Sequence, residues 1–153
     1  MSRLNDFVVD ISLVSLPQRQ MPFGSILIVT DEADHEFEEY INLEDILADF
    51  AQETDTYKMA AQVFAQVPSP LKIAIVGDQT TLPADITALL SANINNDFTV
   101  FYCTNATDAM IAALDAWATQ NHKIYAATTQ NLALFSTILG RNTFLQFHSI
   151  AGT

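Results

Sequence analysis

A chain of 153 residues is about one domain, long enough to bury roughly two-thirds of its unfolded surface. Half of the residues are apolar, ten are Phe and only 16% are charged, which supports a true core and excludes a disordered chain. Eighteen acids against six bases give a net charge of −12, and such a surface repels phosphate backbones, so direct nucleic-acid binding is excluded.

The six bases (Arg3, Arg19, Lys58, Lys72, Lys123, Arg141) are scattered and make no patch. No apolar run approaches the ~18 residues needed to span a bilayer, so membrane insertion is not expected. Asp6 and Asp10 fall where a signal peptide needs an uninterrupted apolar segment. The single cysteine, Cys103, excludes an intramolecular disulfide and a Cys-based zinc site, and its place in FTVFYCT reads as a small core hydrophobe.

In chain order, FVVDISLV at 7–14 alternates as a strand, with Phe7, Val9, Ile11 and Leu13 on one face and Val8, Asp10, Ser12 and Val14 on the other. The loop SLPQRQMPFG sets it apart from the next strand, SILIVT at 25–30. An apolar strand on a Pro/Gly loop either inserts into its own sheet or completes a neighbour's by strand addition. The segment DEADHEFEEY at 31–40 reads as a charged loop, and eleven of the eighteen acids lie between Asp31 and Asp55.

A short helix follows, with Asn42 as its N-cap, Asp45 at the third helical position, an Ile41–Ile46 staple, and a stripe of Leu43, Ile46, Leu47 and Phe50. Thr54 or Asp55 caps the next helix, where Tyr57, Ala61 and Phe64 share a face, and Pro68 and Pro70 end it.

From Leu71 the pattern is regular. Strand 72–76 precedes a helix near 83–94, with Pro83 in its first turn and Ile86, Leu89 and Leu90 inward. Strand 98–102 precedes a helix near 107–119, capped by Thr107, with Ile111, Leu114 and Ala118 lining its stripe beside Met110 and Trp117. Strand 123–127 precedes a helix near 130–139 that ends at Gly140, and a last strand covers 143–147. Strands alternating with helices of this length predict an α/β fold: a mostly parallel sheet with helices packed on its faces, plus an extended N-terminal strand arm. The expected organisation is an arm and linker over residues 1–22 and one α/β domain over 23–153.

No residue set carries chemistry. The acids around His35 (Asp31, Glu32, Asp34, Glu36, Glu38, Glu39) lack the spacing and the glycine of a calcium loop, and HEFEE lacks the second His of a zinc helix. GDQTT at 77–81 stands where α/β proteins cradle anions, but it has one glycine and Asp78 opposes a phosphate. His35, His122 and His148 are dispersed, with no nucleophile elbow near them. On the residues alone no catalytic residue, cofactor or metal site is expected. The alternative is a small acidic α/β enzyme or nucleotide-binding module using the strand end at Gly77–Thr80.

One order of phrases stands out: the strand FVVDISL, the loop ending MPFG, SILIVT, an acidic linker closing on Tyr40, the helix NLEDILADF, and TYKMAAQVFAQVPSPLKIAIVGD. Over about residues 5–80 this resembles the N-terminal part of phage contractile tail sheath proteins. The matching positions are Phe23–Gly24, Tyr40, Tyr57, Ala60, Phe64, Gln66, Pro68 and Pro70.

The resemblance implies a non-enzymatic structural subunit of a virion tail, assembled in the host bacterial cytoplasm. It implies self-association in stacked hexameric rings, with a tail tube protein and baseplate or tail terminator proteins as further partners. It also implies arms donated as strands between neighbours, which makes Phe7, Val9, Ile11 and Leu13 the expected interface residues. Sheath proteins are usually longer, with the tube-facing helix and a C-terminal arm in their later part. TFLQFHSIAGT is then either an internal strand or that arm.

Overall fold

The computed structural model describes residues 24–79, 82–137 and 140–147. Its elements are β1 (Ser25–Thr30), β2 (His35–Tyr40), α1 (Leu43–Asp49), α2 (Asp55–Phe64), β3 (Ile73–Gly77), α3 (Pro83–Ala92), β4 (Phe98–Cys103), α4 (Asp108–Asn121), β5 (Ile124–Thr129), α5 (Leu134–Thr137) and β6 (Thr143–Phe147). The strands form one sheet in the order β2-β3-β1-β4-β5-β6. Every pair is parallel except β2–β3, which is antiparallel. The predicted α/β class is therefore the observed one. The arm expected at residues 7–14, with Phe7, Val9, Ile11 and Leu13, lies outside the described residues.

Leaving β2 aside, the parallel strands run β3-β1-β4-β5-β6, a doubly wound order that reverses at β1. The connection from β1 to β3 runs one way across the sheet and the later connections run the other. Because such crossovers are right-handed, the helices divide between the two faces. On the first face Leu27, Val29, Ala74, Val76, Phe101 and Tyr125 pack under Ile86 and Leu90 of α3 and Met110, Ile111, Leu114 and Ala118 of α4. On the second face Ile28, Ile73 and Ile75 pack under Ile46 of α1 and Ala60 and Val63 of α2, with Tyr40 and Phe50. The runs ILIV and IAIV lack alternation because β1 and β3 are covered on both sides.

Local signals behave as their chemistry dictates. Asn42 Oδ1 accepts from the Asp45 amide at 2.9 Å, Thr54 Oγ1 from Tyr57 at 3.2 Å and Thr107 Oγ1 from Met110 at 3.3 Å, so all three caps form. α2 stops at Phe64 because Pro68 has no N–H to give to that carbonyl, and the Ser69 hydroxyl donates to it instead at 2.9 Å. Trp117 Nε1 donates to Ser91 Oγ at 2.9 Å and ties α4 to α3. Phe101 stacks on Tyr125 at 4.8 Å and meets Trp117 edge-on at 5.5 Å.

Four expectations are corrected. Residues 31–40 are not all loop, since 35–40 form edge strand β2 with a register shift between His35 and Glu38. Phe37 packs on the first core and Tyr40 in the second, which is enough to hold an otherwise acidic strand to β3. α2 centres its buried face on Thr56, Ala60 and Val63, one residue round from the expected Tyr57, Ala61 and Phe64, with Tyr57 and Phe64 packed half-buried at its margin. Ile41 is 69% exposed and makes no staple. The last helix spans only Leu134–Thr137 within the described residues. Gly140 answers a packing need there: a Cβ would run into the Asp115 carboxylate.

Candidate functional site

A doubly wound sheet takes ligands at the carboxyl ends of its strands, where the order reverses and helix N-termini offer free amides. Here that place lies between β1 and β4, and the donors around it are bonded to the chain's own carboxylates. Glu32, two residues beyond β1, reaches the start of α2. Its Oε1 accepts from the Asp55 amide at 2.8 Å, and its Oε2 from the Thr56 amide at 3.1 Å and the Thr56 hydroxyl at 2.5 Å. The Thr56 and Thr30 hydroxyls lie 2.7 Å apart, and Thr30 Oγ1 accepts the Glu32 amide, which closes the network.

The same filling recurs along the sheet end. Asp34 Oδ1 accepts from the Gln79 amide at 2.8 Å, in the loop that the sequence offered as an anion cradle. The Asp78 amide is bonded to the Thr30 carbonyl. Asp31 Oδ1 accepts from Thr104 Oγ1 and Asn105 Nδ2, both at 3.2 Å, across the reversal point itself. Asp108, at the start of α4, accepts from Asn131 Nδ2 at 2.7 Å and Thr129 Oγ1 at 3.3 Å. Gly77 has a packing role, because a Cβ there would run into the Ala33 carbonyl.

Electrostatics agree with this role. Partial burial pushes the Glu32 pKa up, but the hydrogen bonds from Thr56 and Asp55 and the charge of Lys58 outweigh it, so the carboxyl titrates below its usual range. Burial, with the Asp31 charge, pushes the Cys103 thiol up to about 12. That thiol is a core group with no thiolate to offer as a nucleophile.

A second polar cluster stands at the far edge. His35 Nε2, Glu38 and Asp49 carry ligand-type atoms within 4.8 Å of one another. The Tyr40 hydroxyl joins them, donating to Asp49 Oδ2 at 2.7 Å, with Glu38 Oε2 at 3.3 Å and His35 Nε2 at 2.9 Å. Burial and these carboxylates raise the Tyr40 pKa, so the phenol keeps its proton and holds the cluster together. Beside it lies an open cleft of about 550 Å³ with Phe37, Val76 and Leu89 on its walls and Asp34, His35 and Glu36 among its lining. Among the described residues no nucleophile is hydrogen-bonded to a base in this cleft.

The two edges of the sheet differ in charge. β2, one edge of the sheet, carries Glu36, Glu38 and Glu39, the charges that blunt an edge against pairing. β6, the opposite edge, reads TFLQF with no charge, and its Phe144 and Phe147 are 70% and 40% exposed. Among the described residues, helices cover only the half of the second sheet face that lies over β1 and β3. No described residue of β4, β5 or β6 belongs to the core under α1 and α2 or packs against it. Val100, Tyr102, Ile124 and Ala126 are only half-buried there.

No family model matches the chain, and no characterised protein matches it in sequence.

Of the sites read from the sequence, the Gly77–Thr80 loop is described through Gln79 and its amide is taken by Asp34. His35, His122 and Cys103 are not brought together, since His35 sits in the Tyr40 cluster, His122 in the left-handed turn that ends α4, and Cys103 in the core. The structural role of Asp31, Glu32, Asp34 and Asp108 escaped the sequence. Glu32 meets its partners 23 and 24 residues away, and no local spacing encodes that.

Proposed function

We propose that the protein is a structural subunit that works by associating with copies of itself, in the manner of a phage-type contractile tail sheath protein. In this reading Phe7, Val9, Ile11 and Leu13 form a strand donated to a neighbour, and the subunits polymerise as stacked rings around a tail tube in the virion. Baseplate or tail terminator proteins close the ends, and the chain catalyses nothing.

The observation that carries the reading is edge strand β6: charge-free, phenylalanine-bearing and unpaired on its outer side among the described residues. An edge of this kind is the template that strand addition uses, while the acidic edge β2 resists it. The capture of the Asp55, Thr56 and Gln79 amides by Glu32 and Asp34 supports the same reading, because a nucleotide-binding module at Gly77–Thr80 needs such amides free. The ordered sheath-like phrases from residue 5 to residue 80 give it its specific form.

Negative-stain electron microscopy of the purified chain tests it. Rings or tubes are expected at high concentration, and removing residues 1–14 abolishes them. A full-length protein that stays monomeric at high concentration, with the deletion changing only its stability, overturns the reading.

A further inference from the structure

We propose that His35, Glu38 and Asp49 form a zinc site that clips edge strand β2 to helix α1. Their ligand atoms, one imidazole nitrogen and two carboxylate oxygens, all lie within 4.8 Å of one another. On a regular strand, residues three apart point to opposite faces. Here the register shift between His35 and Glu38 brings both to one side. Asp49, the last residue of α1, closes the set.

The hydrogens of the cluster do not balance its acceptors. Around the Tyr40 hydroxyl stand Asp49 Oδ2 at 2.7 Å, His35 Nε2 at 2.9 Å and Glu38 Oε2 at 3.3 Å, and His35 Nε2 is 3.5 Å from Glu38 Oε2. With both carboxyls ionised, a phenol and a neutral imidazole bring at most two hydrogens to these four close pairs. No Lys or Arg is paired with Glu38 or Asp49 among the described residues. A proton on His35 adds one charge and one hydrogen, whereas a divalent ion offsets both carboxylates at once.

The donor set selects zinc. One imidazole with two carboxylates leaves a fourth position to water, the arrangement of an open tetrahedral zinc shell. Calcium and magnesium prefer six or more oxygens, and a site of mixed nitrogen and oxygen holds zinc more tightly than manganese or iron. Zinc bonds of about 2.0–2.2 Å set neighbouring ligand atoms about 3.3–3.6 Å apart. The His35–Glu38 pair already stands at 3.5 Å, and Asp49 is exposed, so a side-chain rotation brings it to the same spacing. The surroundings hold the ligands in place. Phe50 meets the His35 ring edge-on at 5.2 Å, and buried Tyr40 gathers all three ligand atoms through its hydroxyl. The bound ion ties an acidic edge strand to its neighbouring helix. The site is independent of the sheath reading, and its test needs no assembly.

Isothermal titration calorimetry of the metal-free full chain with zinc chloride tests the site. One equivalent is expected to bind saturably, while calcium chloride and magnesium chloride give no saturable heat. Asp49→Asn and His35→Gln each weaken zinc binding at least about tenfold. Glu36→Gln, at an exposed acid of the same strand outside the cluster, leaves it unchanged. Zinc also raises the melting temperature of the wild type and of Glu36→Gln but not of Asp49→Asn. No zinc uptake, equal affinity in all three variants, or calcium binding as tight as zinc overturns the proposal.

Discussion

Glu32 is the residue on which the carboxyl end of the sheet depends most. It takes two backbone amides and a hydroxyl at the head of α2, the partners that a bound anion would otherwise use. Its pKa is lowered in the folded state, so its contribution is fully present above the ordinary glutamate value and is lost as pH falls through the lower folded value. Glu32→Gln is expected to cost about 1.5–3 kcal/mol at pH 7, the range for hydrogen bonds to a charged group. Urea unfolding at pH 7 and pH 3 checks this, and the gap between wild type and variant should narrow at the lower pH. Tyr125 shows the opposite case: its hydroxyl is buried without a partner among the described residues, and its ring stacking on Phe101 keeps it there.

At the scale of elements, the join between α5 and β6 rests on one close approach. Asp115, buried in α4, accepts from the Gly140 amide at 3.2 Å and from Thr143 Oγ1 at 2.6 Å, and so pins the start of β6 to α4. A side chain at position 140 would collide with that carboxylate and with Thr119 Oγ1. Gly140→Ala is expected to cost about 1–3 kcal/mol by displacing Asp115 from its donors. It should also raise hydrogen exchange in residues 143–147 more than in β1 or β3, and uniform loss across the sheet would count against this local account.

Elements differ in how plainly the sequence shows them. β1, β3 and α4 were readable because their apolar runs, stripe and cap are local patterns. β2 was not, because HEFEEY is acidic and only Phe37 and Tyr40 hold it. The face of α2 was legible in part, since Tyr57 and Phe64 do pack against the second core while Thr56, Ala60 and Val63 take its centre.

For the whole molecule, charge opposes the association proposed for it. Each copy carries −12, so like subunits repel, and the repulsion is screened as the Debye length shrinks from ~10 Å at 0.1 M salt to ~3 Å at 1 M. The edge proposed for contact, β6, carries no charge and exposes Phe144 and Phe147. Rising sodium chloride should therefore lower the protein concentration at which assemblies form, measured by light scattering. If salt dissolved the assemblies, ionic contacts rather than apolar edges would be holding them.

The α/β class, the parallel strands and three helix caps were legible in the amino-acid order alone, because they follow from local periodicity, capping chemistry and composition. Only the tertiary structure decided the strand order, the acidic edge at β2, and the use of Asp31, Glu32, Asp34 and Asp108 as internal anions. Those depend on contacts between residues far apart in the chain, which no short-range pattern records. It also decided which residues each core contains, because the hand of each crossover sends α1 and α2 to one face and α3 and α4 to the other.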